Sequence, residues 1–241
     1  MRRPRSDISR GCPKSERVAG RAGGDVSRRW RIAGTLIAGV LFASTACADP
    51  SDRTLVLTGL ALAPPTYLLG VSLHEGSHAL AAELVGASVD SLHLFPPGRD
   101  PSTNTFRFGW TYVHGLRSRG DQVAFYIAPK LTDAALLGGF AALVFTDAWP
   151  HNRYGQLVLT VLATGWWIDF SKDVVLFART NDVVKVFDLW CMTGWRQVPA
   201  RLVYAGVSVG LGLVVARGYE RTFDRPATAP PVSLPLLATT F

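Results

Sequence analysis

Two histidines and a glutamate stand close together in the stretch LHEGSHALAAELVG, residues 73–86. His74, Glu75 and His78 form an H-E-x-x-H pattern. Side chains four positions apart on an α-helix lie one above the other, so both imidazoles can bind one metal ion. Glu75, next to His74, can reach a water molecule on that metal and accept its proton. The spacing is therefore the one that metal-assisted peptide hydrolysis requires.

The surroundings of this motif argue against two ordinary surface histidines. The chain has only five histidines, and the motif lies in a run of small and apolar residues. Ionisable groups inside a membrane span are costly and usually functional. We therefore expect His74 and His78 to bind zinc, with Glu75 as the general base.

A third protein ligand must complete such a zinc site and leave one position for water or substrate. The acidic residues within or beside the later apolar segments are Asp133, Asp169, Asp173, Asp182 and Asp188. Asp173 and Asp182 would face opposite sides of one continuous helix, because nine residues make about 2.5 turns. The sequence RTND before Val183 indicates a helix break that would free Asp182, whereas Asp173 lies in a regular apolar run where a carboxylate needs a partner. The residues alone leave both aspartates open as the third ligand.

Composition and charge favour a membrane protein. Hydrophobic residues make up 48% of the 241 residues and charged residues only 18%. The net charge of +7 comes from residues 1–31, where ten basic residues face three acidic ones, and the rest of the chain is balanced. No basic surface interleaved with aromatic residues remains, so we expect no nucleic-acid partner.

Hydrophobic runs divide the chain into segments. Residues 1–31 are predicted to be a disordered cytoplasmic tail, and residues 218–241 a Pro-rich tail. The uncharged segment 32–48 is either a secretory signal or a first membrane helix. Within the predicted membrane-embedded core, 55–217, four apolar runs are long enough, or nearly so, to cross a hydrocarbon layer of about 30 Å. These runs are 55–86, 122–146, 156–178 and 202–217.

We therefore predict an all-α membrane protein with about four to five transmembrane helices. Residues 87–121 alternate in β fashion around a Pro-Pro-Gly turn, which predicts a short β-hairpin at the membrane surface between the first two core helices. Basic residues in this loop and in the loop at 179–201 place both loops on the cytoplasmic side with the N-terminus. The expected location is an inner or plasma membrane of bacterial type, with the lipid bilayer as a partner.

Two segments resemble a known family. SLHEGSHALAAELVGASVDSLHLFP, residues 72–96, resembles the motif helix and following strand of the site-2 protease family of intramembrane zinc metalloproteases. YIAPKLTDAALL, residues 126–137, is similar to the Gly-Pro-x-x-Asn helix start of that family. Ala128 takes the Gly place, Pro129 is kept, and Asp133 lies near the Asn place.

A third segment, DVVLFARTNDVVKV at residues 173–186, resembles the Asn-x-x-Pro…Asp-Gly segment that supplies the third zinc ligand of the family. The resemblance implies that Asp182 is this ligand, with Asp173, near the Asn place, as the alternative. Val183 stands where the family has Gly, and the Pro is absent.

The resemblance implies zinc-dependent hydrolysis of a peptide bond in a membrane-spanning or membrane-proximal substrate. His74, His78 and Asp182 would hold the zinc, and Glu75 would be the base. The departures around Asp182 leave a second possibility, a non-catalytic membrane scaffold that keeps the fold. A third possibility is a metal-handling membrane protein that binds an ion without hydrolysis.

Overall fold

Long apolar segments form most of the helices of this protein. The computed structural model describes residues 49–102, 104–175 and 181–224. Within these ranges the α-helices are α1 Asp52–Leu84, α2 Arg119–Val144, α3 Arg153–Val175, α4 Asp182–Leu189 and α5 Val198–Phe223. A 3₁₀-helix, Gly194–Gln197, leads into α5. The strands are β1 Ser88–His93, β2 Gly98–Arg99, β3 Phe106–Arg107 and β4 Trp110–His114.

The described part of the chain is therefore mostly helical, as predicted, with a small strand region between α1 and α2. The predicted tail 1–31 and the segment 32–48 lie outside the described residues. Helix α5 continues to Phe223, beyond the predicted end of the core at residue 217, and residues 225–241 also lie outside the description.

Polar side chains fix the starts of three helices. The Ser51 side chain accepts a hydrogen bond from the first turn of α1. Ser118 and Asp121 form a reciprocal capping box at the start of α2. The Asn181 side chain caps α4, so that a new helix begins at Asp182. Such caps satisfy backbone N–H groups that have no partner within the helix.

Among the described residues, three helical segments are long and apolar enough to cross a membrane: Asp52–Leu84, Arg119–Val144 and Gly194–Phe223. They correspond to three of the four predicted core spans. The fourth predicted span, 156–178, is helical as far as Val175 but is not one of these three segments. The apolar character of α3 is interrupted near its end by Asp169, Lys172 and Asp173.

The main hydrophobic core joins α2, α3 and α5. Its buried residues are Leu137, Phe140, Val144, Trp149, Ala163, Phe170 and Val215. Helix α1 packs against both α2 and α3. The four long helices therefore form one bundle in which the motif helix α1 faces the later segments that carry the aspartates.

The strand region is a β-hairpin whose connection, residues 94–109, is long; this connection is called the strand excursion. Strand β1 pairs antiparallel with β4, from Ser88 opposite His114 to His93 opposite Trp110. Between them, β2 pairs with β3 in a second two-stranded sheet. The predicted hairpin is confirmed, but the Pro-Pro-Gly segment leads into this excursion and does not itself close the β1–β4 pair. The excursion folds back toward α1, where Phe108 packs against Tyr67.

Candidate metal centre

Three side chains from two helices converge on a single point. His74 and His78 lie on one face of α1, and their ring centroids are 5.1 Å apart. The Nε2 atoms of His74 and His78 lie 3.3 Å and 3.2 Å from Asp182 Oδ2. The ligand atoms of all three residues lie within 4.8 Å of one another. The residues that the sequence predicted as metal ligands are thus brought together by the fold.

The Nδ1 atoms of both imidazoles are engaged on the opposite side from Asp182. His78 Nδ1 donates to the backbone carbonyl oxygen of Phe125, at 2.7 Å. His74 Nδ1 donates to Asp169 Oδ2, at 2.8 Å. A carbonyl oxygen only accepts, so the proton of a neutral His78 ring must lie on Nδ1. Its Nε2 is then a bare acceptor facing a carboxylate oxygen.

The lone pairs of His78 Nε2 and Asp182 Oδ2 repel each other at 3.2 Å unless a positive group lies between them. That group can be a second proton on the imidazole ring or a metal ion. Zinc bonds of about 2.0–2.1 Å in tetrahedral geometry place ligand atoms roughly 3.3 Å apart, which matches the His–Asp distances. Histidines that hold a metal also usually donate their other ring N–H to a carboxylate or a backbone carbonyl, as His74 and His78 do. The donor set therefore fits zinc.

Asp182 is held at the first turn of α4. Lys185 Nζ donates to Asp182 Oδ1 at 2.9 Å, while Oδ2 faces the histidines. Burial acts to raise the pKa of Asp182, but the close His74 and His78 rings and the nearby Lys185 charge outweigh it and hold this pKa well below its usual value. The carboxyl group is therefore ionised, as a metal ligand must be.

Asp173, the alternative third ligand, borders the same cavity, but it is not one of the three converging residues. Its Oδ1 accepts from Asn181 Nδ2 at 2.7 Å, and its Oδ2 is 3.5 Å from Lys130 Nζ. Asp133, the other aspartate noted in the family-like segments, lies 3.8 Å from the same ammonium group. Both aspartates are buried, but neither belongs to the group of three converging residues.

Glu75 lines the same cavity as the three converging residues. The cavity has a volume of about 300 Å³ and is bordered by α1, α2, α3, α4 and the strand excursion. The Glu75 side chain is buried, and its Oε2 accepts a hydrogen bond from Thr111 Oγ1 at 2.7 Å. Gly109 lies against it, because a Cβ at Gly109 would come within 2.9 Å of Glu75 Cγ. A carboxylate held in this way beside a metal site can accept and return a proton.

The contacts around the centre include residues to which the sequence analysis gave no role. They are Thr111, the Phe125 carbonyl, Lys130 and Lys185, while Asp169 was considered only as one of five acidic candidates for the third ligand. Lys130 and Asp169 carried a usable signal, since charged residues within apolar runs usually have a functional partner. Thr111 and the Phe125 carbonyl carried none, because such hydrogen bonds depend on which elements meet.

Comparison with known proteins agrees with this geometry. A family model described as Peptidase M50B-like matches residues 34–227, most of the chain. The chain belongs to this family, a branch of the site-2 proteases, and the membership predicted from the motifs is confirmed. Neither the curated proteins nor the solved structures gave a match to the chain.

Membership carries several general properties. M50 peptidases are generally zinc metalloproteases, and the family indicates an intramembrane protease. Together with the three long apolar helices, it indicates an integral membrane protein.

Proposed function

We propose that the protein is a zinc-dependent intramembrane endopeptidase. In this proposal His74, His78 and Asp182 hold the zinc ion, and Glu75 is the general base. The observation that carries the proposal is the convergence of two imidazole Nε2 atoms on Asp182 Oδ2, beside a cavity that Glu75 also lines.

The chemistry divides between the metal and the side chains. Zinc, when bound, polarises the scissile carbonyl group and makes water a stronger nucleophile at neutral pH. Glu75 takes the proton from the attacking water and delivers it to the leaving amide nitrogen. Thr111 holds Glu75 Oε2, which limits the positions that the base can adopt.

The position of the site supports a substrate within or next to the bilayer. His74 lies ten residues before the end of α1 at Leu84, about 15 Å along the helix axis. Helix α1 is itself one of the membrane-crossing candidates. Aromatic side chains Phe106, Phe108 and Trp110 border the cavity, so an apolar peptide segment is a suitable ligand. The proposed substrate is therefore a membrane-spanning or membrane-proximal peptide.

The test separates metal binding from proton transfer. The full chain, purified in detergent, is analysed for zinc, and cleavage of a membrane-spanning model substrate in liposomes is followed by mass spectrometry. Glu75→Gln should keep its zinc but lose roughly 10²-fold or more in cleavage rate, because its amide cannot accept the proton. Glu83→Gln, an exposed position on the same helix, is the matched control and should retain both properties.

A second variant tests the choice of ligand. Asp182→Ala should lower bound zinc well below one ion per chain, since two remaining ligands rarely hold zinc tightly. Loss of zinc in Glu75→Gln would show that the glutamate is a ligand and not the base. Zinc binding without cleavage in the unmodified protein, with no effect of Glu75→Gln, would favour the scaffold or metal-handling alternatives.

A further inference from the structure

A lysine is buried inside the helix bundle next to the candidate metal centre. Lys130 on α2 is 2% exposed. Its Nζ donates to the backbone carbonyl oxygen of Asp169 and lies 3.3 Å from Asp169 Oδ2. The Oδ2 atoms of Asp173 and Asp133 lie further away, at 3.5 Å and 3.8 Å. Burying an ammonium group is costly, so such a residue is kept only where its partners compensate.

Asp169 connects this lysine to a proposed zinc ligand. Asp169 Oδ2 is the atom that accepts from His74 Nδ1 and also faces Lys130 Nζ. The other carboxylate oxygen, Oδ1, accepts from Lys172. Lys130 therefore contacts both the backbone and the side chain of Asp169, and a continuous set of contacts crosses from α2 through α3 to α1.

We propose that Lys130 and Asp169 are positioning residues for the metal centre. Lys130 holds Asp169 in place, and Asp169 fixes the His74 ring with its Nε2 toward Asp182. Asp173 and Asp133 contact the same lysine but have no hydrogen bond to His74. This inference rests on the proposed function, because it takes His74 and Asp182 as zinc ligands.

The direction in which zinc affinity changes when Lys130 is replaced distinguishes a positioning role from a purely electrostatic one. Replacing Lys130 with an uncharged residue removes a positive charge near a divalent cation. If electrostatics were the only effect, loss of the repulsion between this charge and the zinc ion would make zinc bind more tightly. A positioning role predicts weaker binding, because Asp169 and with it His74 lose their fixed orientation.

The experiment compares Lys130→Met with Lys172→Met in the full chain purified in detergent. Lys172 is the matched control, since it contacts the other oxygen of Asp169 from a more exposed position. The zinc Kd is measured by competition with a chromophoric chelator, and Co²⁺ absorption spectra report the ligand geometry. Lys130→Met should raise the zinc Kd about tenfold or more and change the Co²⁺ spectrum. Lys172→Met should raise the zinc Kd less than Lys130→Met does, because Lys172 contacts Asp169 only through Oδ1, whereas Lys130 contacts both its backbone carbonyl and the Oδ2 atom that faces His74.

A second pair of variants tests the proposal if Lys130→Met does not fold. Asp169→Asn and Asp173→Asn each remove one negative charge next to Lys130, but only Asp169 contacts His74. Asp169→Asn should weaken zinc binding at least tenfold more than Asp173→Asn. Equal effects of these two variants, or unchanged or tighter zinc binding in Lys130→Met, would overturn the proposal. Failure of the unmodified protein to bind zinc would instead refute the proposed function and this inference with it.

Discussion

The carboxylate of Glu75 is held by residues that lie far from it in the chain. Thr111 Oγ1 contacts both Glu75 Oε2, at 2.7 Å, and the Glu75 carbonyl oxygen, at 3.2 Å. Gly109 leaves no room for a side chain, since an added Cβ would lie 2.9 Å from atoms of Glu75, Val71 and His93. The position of the proposed base therefore depends on one hydroxyl group and one missing side chain.

The hydroxyl of Thr111 can be removed with little change of shape. Thr111→Val should lower the cleavage rate about tenfold or more, since a hydrogen bond to a charged group contributes roughly 1.5–3 kcal/mol. Zinc content should stay unchanged, because Thr111 contacts none of the three proposed ligands. The measurement is kcat on the model substrate, together with zinc analysis.

Thr111→Ser is the matched control, since it keeps the hydroxyl and should retain most of the activity. Equal kcat values for Thr111→Val and the unmodified protein would mean that the hydrogen bond does not position the base.

At this scale the sequence predicted the local part of the site. H-E-x-x-H places His74, Glu75 and His78 by helix geometry alone, without knowledge of the fold. The choice between Asp182 and Asp173 needed a guess about a helix break, and the structure begins a new helix at Asp182. The partners of these residues could not be predicted, because they come from elements that meet only in the folded bundle.

Close packing between helices is clearest at Gly218 on α5. A Cβ at this position would lie 2.5 Å from Phe140 Cζ and 3.1 Å from Thr160 Oγ1. Phe140 is itself part of the main core, and Thr160 is fully buried, so neither has space to move away. Small residues let helices approach closely where lipid provides no hydrophobic driving force.

Gly218→Ala should therefore destabilise the bundle by about 1–3 kcal/mol, the usual cost of overpacking. Gly206→Ala on the same helix is the control, because no atom lies within 4 Å of its Cβ position. Thermal unfolding in detergent should show a lower midpoint for the first variant and no decrease for the second. Indistinguishable midpoints would show that α5 can shift to admit the methyl group.

The elements themselves were largely predictable from hydropathy. Each of the four core apolar runs became a helix, because long apolar runs in a membrane must pair their backbone groups within helices. Three of these helices lie within about three residues of the predicted bounds, and the last extends to Phe223. The strand excursion differed from the prediction, since β2 and β3 are two residues each and depend on contacts within the loop. The segment 156–178 combined apolar residues with three charges, and these charges face the candidate centre and its buried partners.

One arginine ties together three segments at the end of the molecule remote from His74. Arg153, the first residue of α3, donates to Asp52 Oδ1 at 2.6 Å and to the Pro50 carbonyl oxygen at 2.7 Å. It also donates to the Thr222 carbonyl oxygen, at 3.1 Å, near the end of α5. Asp52 and His74 are 22 residues apart on α1, about 33 Å along the helix.

Arg153→Met should lower the stability of the whole bundle by about 1–3 kcal/mol, because it removes a charged donor from several acceptors. Zinc stoichiometry at room temperature should not change, given the distance from the centre. Thermal unfolding and zinc analysis on the same sample check both parts.

Arg217→Met serves as the comparison, since the ion pair of Arg217 with Glu220 is exposed and should contribute almost nothing. A loss of zinc in Arg153→Met at temperatures where the protein stays folded would contradict the expectation that Arg153 affects stability without affecting zinc binding.

The contacts of Thr111 and Gly109 with Glu75 have a consequence for how the proposed enzyme would become active. Helices α1 and α4 supply all three proposed ligands, whereas Thr111 of β4 and Gly109, just before β4, hold the proposed base. In the proposed enzyme, binding of zinc and correct placement of the base would then be separate properties of one chain. A molecule cut or distorted between β1 and β4 could carry a full complement of zinc and still be inert. The amount of bound zinc would then report how many chains have folded, and only the cleavage rate would report how many have a correctly placed base.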